Sequence, residues 1–377
     1  MTRVLYGFSG EGSGHSSRAR AMIAHLHERG HAVLGASYGR GYANLKDGFE
    51  LVEIEGLSLK SVDNRISARR TVAENLAKLD AGVAGWRRLR RAFKEFAPEV
   101  VITDFEPLTA HLAQHHGLPL VTLDNQHRMR YMRYPCPPEL RRDALVTEAV
   151  IRAFVPRPDV SLVTTFWFGE VKNERTFLFP PILGRDVLVL APRDEGHVLV
   201  YFTHGFEAFV EHLAACPRER FLLYGTGREG REGNLERRAP SRAGFLDALA
   251  GAKAVISTAG FTLMTEALHL GKPFLALPMA GQFEQELNAL LLAEAGYGKN
   301  GRAGGPEAVG DFLYRLPEYR ARLAAYPRGD NAGIQAMLDR LLADGGALAR
   351  AFHAHRRGGP APRVGAAGRM ARGGGEG

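Results

Sequence analysis

Cysteine is nearly absent: Cys136 and Cys216 are the only two among 377 residues. Two thiols so far apart in a long chain make no disulfide framework, and a reducing, cytoplasmic setting is expected. Long apolar runs are missing as well, since no stretch reaches the ~18–20 residues of a membrane span. The N-terminal run Val4-Leu5-Tyr6-Gly7-Phe8 soon meets Gly10 and Glu11, too short for the apolar segment of a signal peptide. No G-x-x-x-x-G-K-[ST] occurs, which disfavours a P-loop nucleotidase. If Gly10 and Gly12 opened a dinucleotide fingerprint, its third glycine would fall on His15, which disfavours a nicotinamide enzyme.

What the chain does have is ordinary soluble composition, 45% hydrophobic and 24% charged, in a length that exceeds one growing core and predicts two domains. A net charge of +8 and 44 glycines stand out. A basic balance points to nucleic acid, an anionic membrane surface or acidic substrates. Much of it is local, however. Residues 345–377 hold six arginines against Glu376 alone, together with ten of the glycines, a net +5 that leaves +3 for the rest. This segment reads as a flexible basic Gly/Arg tail without a core, and nucleic acid is not expected as a partner.

Short β-branched or apolar runs alternate with longer helical patterns. Strands are expected at Arg3–Phe8, Ala32–Ser37, Glu50–Glu55, Val100–Thr103 and Leu118–Leu123, with helices such as Ser17–Glu28, Thr71–Phe96 and Leu108–His115 between them. After a loose stretch, Phe179–Gly196, the pattern restarts with His197–Thr203, Arg220–Tyr224, Ala254–Ser257 and Pro273–Leu277. Strands alternating with helices imply βαβ units and parallel sheets. The expected fold is therefore α/β, two doubly wound Rossmann-like domains facing across a cleft. They are placed at residues 1–183 and 184–344, the last helices being able to pack back on the first domain, with the tail at 345–377. Ligands of such sheets bind beyond the carboxyl ends of the strands, so the loops there carry the candidate residues.

The first strand runs into Gly10-Glu11-Gly12-Ser13-Gly14-His15. Glycines let this backbone turn and approach a ligand, and the following helix start favours an anionic or polar group. His15 suits general-base work on a hydroxyl; the alternative is a histidine that only packs. A base needs an orienting carboxylate, and Asp104, at the end of Val100–Thr103, is the candidate, unless it only caps the next helix. The loop Asp124-Asn125-Gln126-His127 adds polar side chains at the same sheet edge.

Residues 254–296 are the most specific segment. Ser257-Thr258-Ala259-Gly260 leads into a helix from Phe261, and free N–H groups near Gly260, Phe261 and Thr262 form a diphosphate site aided by the helix dipole. Glu266 can reach a ribose diol, and Gln282 and Gln285 can grip sugar hydroxyls. Phe245 either lines a base pocket or belongs to the core.

This segment resembles the donor-binding signature of GT-B glycosyltransferases, closest to glycosyltransferase family 28 and its MurG-like members, including a branch of teichoic-acid-biosynthesis type. Ser257, Gly260, Glu266, Gly271-x-Pro273, Gln285 and Asn288-Ala289 follow the family order, with Glu284-Gln285 where the family has two glutamines. Gly12, Ser13, Gly14 and His15 resemble its G-G-T-G-G-H loop, and of its H-E-Q-N motif only Gln126 is kept beside His127. The resemblance implies an inverting, metal-independent transfer from a nucleotide-diphospho-sugar, a UDP-sugar in the first instance, to a small-molecule or lipid-linked hydroxyl. The first domain then takes the acceptor and the second the donor, which is a co-substrate, no other cofactor being expected. No D-x-D occurs to bridge a metal and a diphosphate. A peripheral contact with anionic membrane, through Arg128, Arg130, Tyr131, Arg133 and Tyr134, is a further expectation. A non-hydrolysing nucleotide-sugar 2-epimerase and a non-catalytic nucleotide-binding protein are the rival readings.

Overall fold

The computed structural model describes residues 1–56, 61–62, 65–66, 79–202, 207–227, 229–302 and 306–362. The chain forms two units, the first made of Met1–Gly184 and Gly329–Gly377, the second of Arg185–Arg328.

In the first unit the strands are β1 (Arg3–Phe8), β2 (Ala32–Ser37), β3 (Leu51–Glu53), the short pair β4 (Ser61–Val62) and β5 (Arg65–Ile66), then β6 (Val100–Asp104), β7 (Leu120–Asp124), β8 (Val160–Thr164) and β9 (Thr176–Phe179). All but β4 and β5 join one parallel sheet in the order β3-β2-β1-β6-β7-β8-β9. The chain builds outward from β1 to β3, then crosses back to lay β6 on the other side of β1. That reversal makes the β1–β6 edge the switch point, and the pairing of Phe8 with Asp104 sets the loop after β1 beside Asp104.

Both faces of this sheet are covered. On one, Ala19, Met22, Ile23 and Leu26 of the Ser13–Glu28 helix pack with Val4, Tyr6 and Phe8. On the other, Leu89 and Phe93 of the Leu79–Phe96 helix and Ala110, Leu112 and Ala113 of the Pro107–His116 helix pack with Leu5, Val101 and Leu120. Spacings of three and four residues on these helices are what a two-layer cover requires. The expected helix residues 71–78 lie outside the described residues.

The second unit holds β10 (His197–Tyr201), β11 (Arg220–Tyr224), β12 (Gly230–Glu232), β13 (Leu235–Arg237), β14 (Ala252–Thr258), β15 (Phe274–Leu277) and β16 (Gly298–Asn300). Their order is β12-β13-β11-β10-β14-β15-β16, parallel except for the edge strand β12. Its switch point lies between β10 and β14, where Tyr201 pairs with Ser257.

The C-terminal segment returns to the first unit. Residues 329–344, placed in the second domain with the allowance that its last helices pack back on the first, group with the first unit. Residues 345–356, expected in a coreless tail, continue the Ala332–Arg356 helix across a break at Ala343–Gly346, where Asp344, Gly345 and Gly346 take positive φ. Ile334, Met337, Leu338, Leu341, Ala349 and Phe352 are buried in the first unit's core. Phe352 lies edge-on to Phe177, with ring centroids 6.1 Å apart. His25 Nε2 meets Asp339 Oδ1 at 2.8 Å, and Arg356 is ion-paired with Asp159. Glycine-rich composition hid a short apolar spacing at Ala349 and Phe352 that a sheet face could use. Residues 363–377 lie outside the described residues.

Phe352→Ala is expected to cost about 3–5 kcal/mol, the usual price of emptying a buried aromatic site. Denaturant unfolding measures it; a loss below about 1 kcal/mol would remove this helix from the core.

Candidate functional site

The loop after β1 is shaped by close approach. A Cβ on Gly10 would sit 1.9 Å from the Tyr38 carbonyl oxygen, so no other residue fits there without a shift. Gly12, at φ 75, is the N-cap of the Ser13–Glu28 helix, which has no side-chain cap and no acid in its first turn. Gly12 and Ser13 are exposed and Gly14 half-buried, leaving the first amides of this helix open at the sheet edge.

His15 projects from that first turn onto the end of β6. Its Nδ1 lies 2.8 Å from Asp104 Oδ1. The His15 side chain is 13% exposed and that of Asp104 not at all, so the imidazole is the part of the pair that ligands can reach. Asp104 does not cap the next helix: Glu106 does, accepting from the amides of Leu108 and Thr109. The chain between them bends through Phe105 at φ 56.

A third member was not anticipated from sequence. Arg18 donates from Nε to Asp104 Oδ2 at 3.0 Å and from Nη2 to Oδ1 at 2.8 Å. It stands three positions after His15, on the same helix face, and that spacing was the available signal. Burial alone would push the Asp104 carboxyl up. The charges of Arg18 and His15 and their hydrogen bonds outweigh it and hold the carboxyl below its ordinary value.

The third loop of this edge turns inward. His127 is fully buried, its Nδ1 2.7 Å from Asp124 Oδ2 while its amide donates to Asp124 Oδ1 at 2.8 Å. Both bonds tie His127 to the end of β7. Gln126 is also buried. The basic, aromatic stretch that follows is not an open surface. Arg128 is buried, Arg130 is half-buried with its guanidinium 4.8 Å from the Tyr131 ring centroid, and the exposed Arg133 pairs with Glu170 at 3.2 Å.

In the second unit, β14 leads through Ala259 to the Phe261–His269 helix, whose N-cap Gly260 makes no side-chain cap bond. A Cβ on Gly260 would meet nothing within 4 Å, and its φ of −68 suits any residue. Among the described residues, the place a Cβ would take there is thus unoccupied. Phe261 is buried and Thr262 half-buried. Ser257 Oγ donates to the Tyr201 carbonyl at 2.6 Å, tying the two strands of the switch point together. Asn288 Nδ2 donates to the Ala259 carbonyl at 2.7 Å and holds the loop from the other side.

Glu266 is buried and its Oε1 is 3.3 Å from Arg242 Nη2, while Arg242 Nε donates to Asp186 at 3.0 Å. Burial raises the Glu266 carboxyl above its ordinary value against the pull of Arg242. Gln285 donates to Gln282 Oε1 at 2.9 Å and accepts the Met279 amide at 3.1 Å, so the two glutamines shape their own loop. Phe245 is half-buried, edge-on to Tyr201 and Tyr224 with centroids 5.4 and 5.3 Å away.

Two seven-stranded, almost wholly parallel sheets with helices packed on them, each with a glycine-containing loop at its switch point, define a GT-B protein. The family model described as glycosyl transferase family 1 matches residues 2–317, and the chain belongs to that family; the protein is a glycosyltransferase. The expected MurG-like and teichoic-acid branch is narrower than this match. An uncharacterized glycosyltransferase of Methanosarcina mazei is 23% identical over 322 residues, covering 79% of this chain and 85% of that protein. Among solved structures, the glycotransferase of kitacinnamycin superposes with a TM-score of 0.67 at 21% identity, covering 90% of this chain and 98% of that one. SsfS6 of Streptomyces sp. SF2575, complexed with thymidine diphosphate, gives 0.58 at 14% identity, covering 90% and 100%. At such identities the likeness is one of fold.

Asp104→Asn would leave Arg18 buried without its carboxylate, at an expected cost of about 3–5 kcal/mol. Because the folded carboxyl lies below its ordinary 3.8, this contribution is complete above that pH and is lost as pH falls through the lower folded value. The stability gap between wild type and variant should therefore be constant above about pH 5 and shrink only in strong acid. A gap that closes between pH 7 and 5 in denaturant titrations would contradict the assignment.

Proposed function

We propose that the protein is an inverting, metal-independent glycosyltransferase that moves a sugar from a UDP-sugar to a hydroxyl acceptor. The observation that carries this reading is the contact of His15 with Asp104. A carboxylate only accepts hydrogen bonds, so the 2.8 Å contact supports a proton on Nδ1, which would leave the Nε2 lone pair for substrate. In the transfer, the acceptor hydroxyl gives its proton to Nε2 as its oxygen bonds the anomeric carbon. The bond from that carbon to the diphosphate breaks on the opposite side, and the nucleoside diphosphate leaves with the electron pair.

The reading assigns acceptor activation to the first unit and donor binding to the second. Charge gathers on the leaving diphosphate, and the N-terminal amides at Phe261 and Thr262 supply positive dipole ends for it without a metal. Glu266 would accept the ribose hydroxyls, with Arg242 setting its carboxylate, and Phe245 would border the base. Thymidine diphosphate, which SsfS6 holds, is the rival nucleotide. A lipid-linked acceptor would bring the protein to an anionic membrane, where the exposed Arg87, Arg88, Arg90, Arg91 and Lys94 of the Leu79–Phe96 helix are the cations to meet it. A small-molecule acceptor needs none of them.

His15→Ala is expected to lower turnover by roughly 10²–10⁴-fold while a thermal-shift titration with UDP and TDP still registers binding; unchanged turnover would remove His15 from the base role. Gly260→Ala should leave unfolding midpoints almost unchanged, since its Cβ meets nothing, yet weaken nucleoside-diphosphate binding about tenfold. Unaltered binding would move the diphosphate elsewhere.

A further inference from the structure

His15 Nδ1 has two neighbours of opposite character. Asp104 Oδ1, an acceptor, is 2.8 Å away, and Arg18 Nη2, a donor, is 3.0 Å away. One nitrogen satisfies only one of them. With its proton on Nδ1 the imidazole donates to Asp104 and Arg18 spends both donors on the carboxylate; with its proton on Nε2, Nδ1 turns a lone pair toward Asp104 and could take Arg18 instead. The second arrangement sets two acceptors against each other and leaves no free lone pair facing outward. What selects the first is the orientation of the carboxylate, and that is set by the fork of Arg18, whose Nε and Nη2 grip Oδ2 and Oδ1 at 3.0 and 2.8 Å.

We propose that Arg18 is the positioning residue of this site: it locks the rotamer of Asp104 so that His15 is held as the Nδ1–H tautomer with Nε2 free. This rests on the reading of His15 as the base only for its consequence in catalysis; the tautomer itself is a property of the unliganded protein. Arg18 is suited to the task because a guanidinium is planar, keeps its proton and matches two carboxylate oxygens at once. It is 4% exposed, so it works through Asp104 and His15 and not by touching substrate. A lysine there keeps the charge that the buried carboxylate needs but cannot hold both oxygens in one plane. Charge and geometry are therefore separable by substitution.

The test is ¹⁵N spectroscopy of the His15 ring in unliganded full-length protein at about pH 9, where an imidazole carries one proton, in wild type and Arg18→Lys. Wild type should show one tautomer, protonated at Nδ1, and Arg18→Lys a mixture with the Nε2–H form, with a melting temperature closer to wild type than that of Arg18→Met. A wild-type ring protonated at Nε2, which needs no variant to observe, overturns the proposal. So does a pure Nδ1–H tautomer in Arg18→Lys. A mixed tautomer in Arg18→Lys alongside full turnover in His15→Ala would uphold the positioning role and reject the base.

Discussion

One buried carboxylate organises the first unit's site. Asp104 ends a strand at the point where the sheet reverses its order, beneath the first turn of the Ser13–Glu28 helix, with no exposed surface. A charge so placed is costly unless it is paired and hydrogen-bonded. Arg18 and His15 meet that cost together, and both come from one helix face. The glycine loop before the helix therefore has a steric duty first. It must bring the helix close enough for a residue in its first turn, and another one turn later, to share one carboxylate.

The second unit repeats the topology with different chemistry. At its switch point Ser257 ties β14 to the Tyr201 carbonyl, a neutral bond between strands where the first unit has a charged cluster. The charged group of the Phe261–His269 helix that faces inward is Glu266, and it is matched by Arg242. What is left at the surface is an uncapped helix N-terminus with clear space before it. The first unit's switch point thus carries a charged cluster and the second a helix start without a side-chain cap.

Much of this was legible in the sequence, and the residues say why. Arg3–Phe8, Ala32–Ser37 and Arg220–Tyr224 coincide with β1, β2 and β11, because buried parallel strands read as continuous apolar runs between turn signals. β8 and β9 escaped notice: residues 165–175 between them carry no helical pattern, and β9 ends where a stretch that reads as a linker begins. The C-terminal helix escaped for the opposite reason. Its alanines, glycines and arginines look like a solvated tail, yet small residues at helical spacing are what let a helix lie against a sheet already crowded with Val160, Leu162 and Phe177.

The site divides along the same line. His15 and Asp104 were accessible because one opens the helix after β1 and the other ends β6, and such places are counted from local pattern. Arg18 was harder to see, because its spacing from His15 does not distinguish a buried arginine from a solvated one; that depends on Asp104, 86 positions further along the chain. His127 shows the converse. Its place just after a strand made it a candidate, and Asp124, three residues earlier, meets its Nδ1 and its amide in a fully buried setting. Position at the sheet edge thus names the candidates, and burial separates them: each ring gives Nδ1 to a carboxylate, but His15 keeps 13% of its side chain exposed where His127 keeps none.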